Sequence, residues 1–257
     1  MEMNLKIYIV NRPEFDAKNF LSFTHNQKTD WRRTIGATDS EEIVEAAGRI
    51  CYMSFGEDQS PKSNQEYIRH LIEMGHESVL EHVNWTFLIT GVSRAFTHQL
   101  VRHRVGFAFS QLSQQYHNET NASFTEPLLI KNNSRAHDIW NKVIQETRQT
   151  YRELLKVLQE SEHESAVHLK GKEFRRAIYS AARSILPNAT ETKILVTANA
   201  RALRYFLKIR GQIPGDEEMR NVASHLLLHL KIEAPSLFFD FHIDKLTDGS
   251  PIIVHES

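Results

Sequence analysis

The chain has 257 residues, enough for one large core or two small ones, and its 40% hydrophobic and 25% charged content is ordinary for a globular protein. Its 31 Lys and Arg nearly balance its 32 Asp and Glu, which argues against a global basic field for nucleic acid and leaves any anion site to a local cluster of cations. A single cysteine excludes an intramolecular disulfide; with no signal-peptide pattern and no apolar run near the ~20 residues of a membrane span, a cytoplasmic protein off the membrane is expected.

In chain order, Leu5 to Val10 alternates, is rich in β-branched residues and predicts a strand. The polar stretch from Asn11 to Arg33 contains Trp31 but no clear period and reads as loop. A helix is expected from Asp39, capped by Asp39 or Ser40, with Glu41 and Glu42 near its positive end and an apolar face of Ile43, Val44, Ala47 and Ile50. After a turn-rich gap at Gly56 to Ser63, a helix from Asn64 to Met74 carries Tyr67, Leu71 and Ile72 on one face and stops at Gly75. Trp85 to Thr90 reads as strand and Val92 to Arg102 as helix. Helices follow at Ala136 to Glu160 and Lys172 to Ile185, then a weak strand at Thr190 to Thr197, then helices at Ala200 to Ile209 and Glu217 to Ile232. The tail from Ser236 is mixed and includes the apolar stretch Pro251 to Val254. Helices dominate and do not alternate with strands as βαβ units, so a helix-rich α+β single domain over residues 1–257 is expected. No GxGxxG follows a strand, which excludes a Rossmann dinucleotide fingerprint.

The informative stretch is Gln99 to Tyr116, QLVRHRVGFAFSQLSQQY. Arg102, His103 and Arg104 stand in a row at an expected helix end, where cations are favoured, and arginine forks suit phosphate or pyrophosphate. A short basic run is most simply a solvated surface, but this one is flanked by Leu100, Val101, Val105, Phe107 and Phe109. Ser110, Gln111, Ser113, Gln114 and Gln115 follow, groups suited to a base edge or a sugar.

Cys51, in an apolar helical neighbourhood, reads as a packed thiol rather than a nucleophile. Ser113 has no His–Asp pair at a recognisable spacing and reads as a ligand contact. His76, Glu77, Glu81 and His82 form HExxxEH, whose histidines are two residues too far apart for HExxH, and His225 and His229 have no evident third ligand, so no metal site is expected.

RHR with a spaced Ser resembles the signature of the flavin-dependent thymidylate synthases, the ThyX family: RHR, seven residues, then Ser. Four further blocks fall in the family's order. AGRICYMS (Ala47 to Ser54) resembles AxRxCYxS, and MGHESVLEH (Met74 to His82) resembles GHxSxxEH. ARSILPN (Ala182 to Asn188) resembles ARxxLP, and NARALRYFLKIR (Asn199 to Arg210) resembles NxRxLxxFLxxR.

The resemblance implies a ThyX-like α+β fold with a small, mostly antiparallel sheet. It implies reductive methylation of dUMP to dTMP, with methylenetetrahydrofolate as carbon donor, reduced FAD as hydride donor and NADPH as reductant. Arg102, His103 and Arg104 would contact FAD, with Ser78, Asn199 and Arg201 around the flavin and His76 near the isoalloxazine ring. Gln99, Arg102, Gln111, Leu112 and Ser113 would line the dUMP site. Arg183 would bind dUMP, and Arg210 would sit against the uracil and stabilise negative charge at N3 or O2. The resemblance also implies a homotetramer with active sites shared between subunits.

Three features depart from the pattern. Eight residues, VGFAFSQL, separate Arg104 from Ser113; Gln115 stands where the family commonly has Arg; Pro214 stands where it often has His. The last two motivate a second reading, the same chemistry on another pyrimidine nucleotide such as dCMP. A metal-dependent hydrolase built on His76 and His82, and a nucleotide-binding regulator without catalysis, are the remaining alternatives.

Overall fold

A computed structural model describes residues 5–160 and 171–256. Its elements are β1 (Lys6–Asn11), α1 (Ala17–Asn26), α2 (Asp39–Ile50), α3 (Asn64–Glu73), β2 (Asn84–Ser93), α4 (Arg94–Leu100) and β3 (Phe107–Gln111). Then come α5 (Leu128–Lys131), α6 (Ser134–Glu160), α7 (Lys172–Ala182), β4 (Glu191–Asn199), α8 (Ala200–Arg210), α9 (Glu217–Glu233), β5 (Phe241–Lys245) and β6 (Pro251–His255). Four strands pair in the order β1-β2-β4-β3, and β5 pairs antiparallel with β6, Ile243 opposite Ile253. The expected α+β class with a small antiparallel sheet is what forms.

The chain gathers into two compact units. One takes in the described residues of Met1–Lys6, Ile89–Arg102 and Phe109–Leu195. Its helices α6 and α7 bury Tyr151, Leu155, Ile178 and Ala182 against Leu154, Leu158 and Phe174, and a second cluster joins Ala122, Phe124 and Ile144 under Trp140.

The other unit takes in the described residues of Ile7–Leu88, His103–Ala108 and Val196–Ser257. Here α8, α9 and β6 pack together, with Phe206, Leu207, Leu227 and Leu230 fully buried. Two buried arginines fasten the tail. Arg204 donates to both carboxylate oxygens of Asp240, at 2.7 and 2.6 Å. Arg220 donates to the carbonyls of Ile213, Pro214 and Pro251 and to Ser250 Oγ. The mixed tail from Ser236 therefore resolves into the β5–β6 hairpin, a pairing that depends on contacts far away in sequence.

Most expected helices and strands form near their expected bounds. Residues 11–33 do not remain loop: they contain α1. Asp16 Oδ1 accepts from the Asn19 amide at 3.0 Å, and Phe20 packs edge-on against Trp31, ring centroids 5.2 Å apart. The helix spans ten residues, and its large apolar side chains crowd into Phe20, Leu21 and Phe23, too short a run to show a period on its own.

Helix α2 begins where expected, but Thr38 caps it. Thr38 Oγ1 accepts from the Glu41 amide while Glu41 Oε2 accepts from the Thr38 amide, a reciprocal capping box. Its buried face also differs. Val44 is buried, yet so are Glu41, Glu45 and Arg49, while Ile50 is exposed. Arg49 Nε donates to Glu45 Oε1 at 2.7 Å, Asn64 Nδ2 donates to Glu45 Oε2 at 2.8 Å, and Glu41 Oε1 accepts from the Ser236 amide at 2.6 Å. Paired and hydrogen-bonded charges take the inward face, because each has a partner that a hydrophobicity pattern does not register.

Candidate active site

The sequence-predicted residues divide between the two units. In the unit holding α8, the loop after Arg102 carries His103 and Arg104, and Gly106 turns it in the left-handed region at φ +73°. A Cβ at Gly106 would lie 2.7 Å from both Ala202 Cβ and Asn199 Nδ2, and Gly106 O accepts from the Asn199 amide at 3.1 Å. The glycine thus lets the loop lie against the start of α8. Asn199 is the N-cap of that helix, its Oδ1 accepting from the Ala202 amide at 2.8 Å.

Arg210, the last residue of α8, donates through Nε to His103 Nε2 at 3.0 Å. The imidazole is therefore the acceptor at Nε2. Burial, and then the Arg210 cation beside it, hold the His103 pKa below its ordinary value, which favours that neutral form. Phe107, Tyr205 and Phe206 ring the imidazole at centroid distances of 5.8, 6.5 and 5.3 Å. The terminal Nη groups of Arg210 have no partner among the described residues.

Residues Glu77–His82 form a short 3-10 helix beginning just after His76. Arg201 Nη1 bonds Glu81 at 2.6 Å, and its Nε lies 3.6 Å from Glu77, so both carboxylates of the HExxxEH stretch face an arginine. Among the described residues, no three His, Cys, Asp or Glu side chains gather as a metal site. Ser78 and His82 border an apolar cleft of about 520 Å³ that Phe15, Phe20, Ile43, Ala47, Ile50 and Cys51 also line. Cys51 is exposed at the C-cap of α2, with Sγ 3.3 Å from the Ala47 carbonyl. This corrects the expectation of a packed thiol: the Glu45–Arg49 network occupies the inward face and leaves positions 43, 47, 50 and 51 to the cleft.

In the unit holding α6 and α7, helix α4 ends at Leu100 and Arg102 follows, exposed, with Nη2 3.3 Å from His98 Nε2. Gln99 is half-buried on α4. Gln111 ends β3 and donates from Nε2 to Thr97 Oγ1 at 2.9 Å and Thr192 Oγ1 at 3.2 Å. The Leu112 amide donates to the Lys193 carbonyl, which carries the ladder one residue on, and Ser113 lies exposed at the turn that follows. Arg183 caps α7. Burial, and then Arg183, lower the pKa of Arg94, so two guanidiniums repel each other here. An anion relieves such repulsion.

Sequence reasoning missed Arg94 and Gly106, and it weighed Glu77 and Glu81 for a metal rather than as the partners of Arg201. Gly106 alone carried a local signal, a glycine between an expected helix end and an apolar alternation. At the departing positions, Gln115 Oε1 accepts from Arg176 Nε at 3.3 Å, and the Pro214 carbonyl accepts from Arg220 at 2.7 Å.

Residues 33–236 match the family model described as thymidylate synthase complementing protein. The chain is 42% identical over 233 residues to a flavin-dependent thymidylate synthase of Corynebacterium diphtheriae, covering 89% of this chain and 90% of that one. It is 41% identical over 228 residues to one of Mycobacteroides abscessus, 88% of each chain, and 41% identical over 224 residues to one of a Mycobacterium species, strain JLS, 84% of this chain and 86% of that one.

Proposed function

This chain belongs to the flavin-dependent thymidylate synthase family, and on that premise we propose that it methylates dUMP to dTMP. The observation that carries the reading is the family match across residues 33–236, which contains every one of the five sequence blocks from Ala47 to Arg210. FAD is the cofactor, and methylenetetrahydrofolate and NADPH are the co-substrates. When bound, these groups supply the hydride, the carbon and the reducing equivalents; the protein binds, orients and polarises.

The residues present fit an anionic dinucleotide. Arg104 is exposed and its guanidinium has no hydrogen-bond or ion-pair partner among the described residues, and Gly106 brings backbone close to the start of α8. His76, Ser78, Arg102, His103, Arg104, Asn199 and Arg201 are assigned to the flavin. Gln99, Arg102, Gln111, Leu112, Ser113, Arg183 and Arg210 are assigned to dUMP.

Arg210 is the residue assigned to catalysis. His103 takes its Nε proton donor, and the two Nη groups are left to face uracil O2 and N3 as negative charge develops there. A neutral imidazole suits this arrangement, because a protonated one offers no acceptor and repels the guanidinium. We further read the chain as one catalytic domain, since each of the two units is assembled from three separate chain segments. It acts in the cytoplasm on small molecules as a homotetramer with shared sites.

The test is the visible spectrum of the purified protein with added FAD and then dUMP, followed by product analysis with dUMP and dCMP side by side. A bound flavin band perturbed by dUMP, with dTMP as product, is the expected result. A protein that retains no FAD overturns the reading, and turnover of dCMP equal to or better than dUMP replaces its substrate.

A further inference from the structure

The turn after β3 has an unusual tenant. Ser113 Oγ accepts from the Gln115 amide at 3.3 Å, and the Ser113 carbonyl accepts from the amides of Tyr116 and His117 at 3.1 and 3.0 Å. The turn presents the Gln115 amide and the Tyr116 ring to Arg176, which comes from α7, 61 residues away in sequence. Arg176 Nε donates to Gln115 Oε1 at 3.3 Å, and its guanidinium carbon lies 5.5 Å from the Tyr116 ring centroid.

An amide on Nε and a ring beside the guanidinium restrain its orientation. The Nη groups have no partner among the described residues, and no carboxylate there pairs with Arg176. The side chain is exposed. That is an oriented cation with its fork unused, the geometry that matches two oxygens of a phosphate. Arg183 follows seven residues later in helical backbone, two turns on and so on the same side of α7. Arg94 and Arg183 already repel each other in this unit, so a dianion is the ligand class that its charges favour.

We propose that Arg176 binds the phosphate of the nucleoside monophosphate, supplying the positive charge that the neutral Gln115 does not, with Gln115 holding the guanidinium in place. This rests on the reading of Ser113 and Arg183 as residues of the dUMP site. Gln115 is then a positioning residue, and its amide is suited to that role because it accepts from arginine without neutralising it.

The experiment is calorimetric titration of the full-length, FAD-loaded protein with dUMP, with deoxyuridine and with inorganic phosphate, alongside FAD titration of the apoprotein. Arg176→Gln should weaken dUMP binding about tenfold or more, the scale of a charge-assisted bond. It should leave deoxyuridine and FAD affinity unchanged, and inorganic phosphate should compete with dUMP less well than in the wild type. Gln115→Arg in the Arg176→Gln background should restore most of the dUMP affinity, which a merely misfolded variant would not allow. Unchanged dUMP affinity in Arg176→Gln, or equal losses for dUMP and deoxyuridine, overturns the assignment of Arg176 alone. A loss confined to FAD moves the cation to the flavin pyrophosphate and overturns it equally. A wild-type protein that binds no dUMP overturns the nucleotide site itself, and this inference with it.

Discussion

Arg210 sits at the C-terminal end of α8, where the helix dipole already favours a cation, and among the described residues its side chain bonds the neutral His103 rather than a carboxylate. A carboxylate there would cancel the charge that the proposed chemistry uses. Arg210→Ala should therefore lower kcat by about a hundredfold to a thousandfold, the scale of a lost transition-state donor, with an unchanged melting temperature. Steady-state kinetics beside a thermal melt checks this, and full turnover would remove Arg210 from the mechanism. His103 makes a separate prediction. Its pKa is depressed in the folded chain, first by burial and then by Arg210, so folding is opposed by protonation. Its contribution to stability is complete above the ordinary imidazole value of about 6.5 and is lost as pH falls through the lower folded value. The melting temperature of the wild type should fall more steeply below about pH 6.5 than that of His103→Gln; parallel profiles would show that another histidine sets the acid limb.

At the scale of elements, α2 separates two kinds of stabilisation. Its cap is local: Thr38→Ala removes the reciprocal box with Glu41 and should cost about 1 kcal/mol in urea unfolding. Its inward face is tertiary. Glu45 and Arg49 are both fully buried, and Asn64 and Tyr67 of α3 share them. Glu45→Ala strands the Arg49 charge in the interior and should cost about 3–5 kcal/mol, well beyond the cap. If the two variants unfold at the same urea concentration, the buried network is not what orients α2. The same network explains why the expected apolar face is wrong by part of a turn. Ile43, Ala47 and Ile50 keep helical period, and that period reports amphipathicity without saying which side is covered.

For the whole molecule, the family reading predicts a solution mass four times 29.8 kDa. Light scattering on the eluting peak checks it, and a monomer that retains full activity would show that one copy completes a site. What the sequence determined by itself is local in origin. Helices α3, α7, α8 and α9 were legible because an apolar 3.6-residue period and a glycine or proline stop lie close together in each segment, and α6 because its period runs over 27 residues. The five blocks that carry the family were legible because they are contiguous runs. Helix α1, strand β3 and the β5–β6 hairpin were not, since each is short and depends on a partner remote in sequence: Phe55 for α1, β4 for β3, and Arg220 for the hairpin. Only the tertiary structure decided which arginines are occupied and which are not. Arg49, Arg204 and Arg220 are buried under acceptors, Arg201 is held by two glutamates, and Arg176 and Arg210 are each held by Nε with their forks unused. All six are the same residue in the sequence, and the difference between a structural and a ligand-facing arginine is the set of acceptors that folding brings to it.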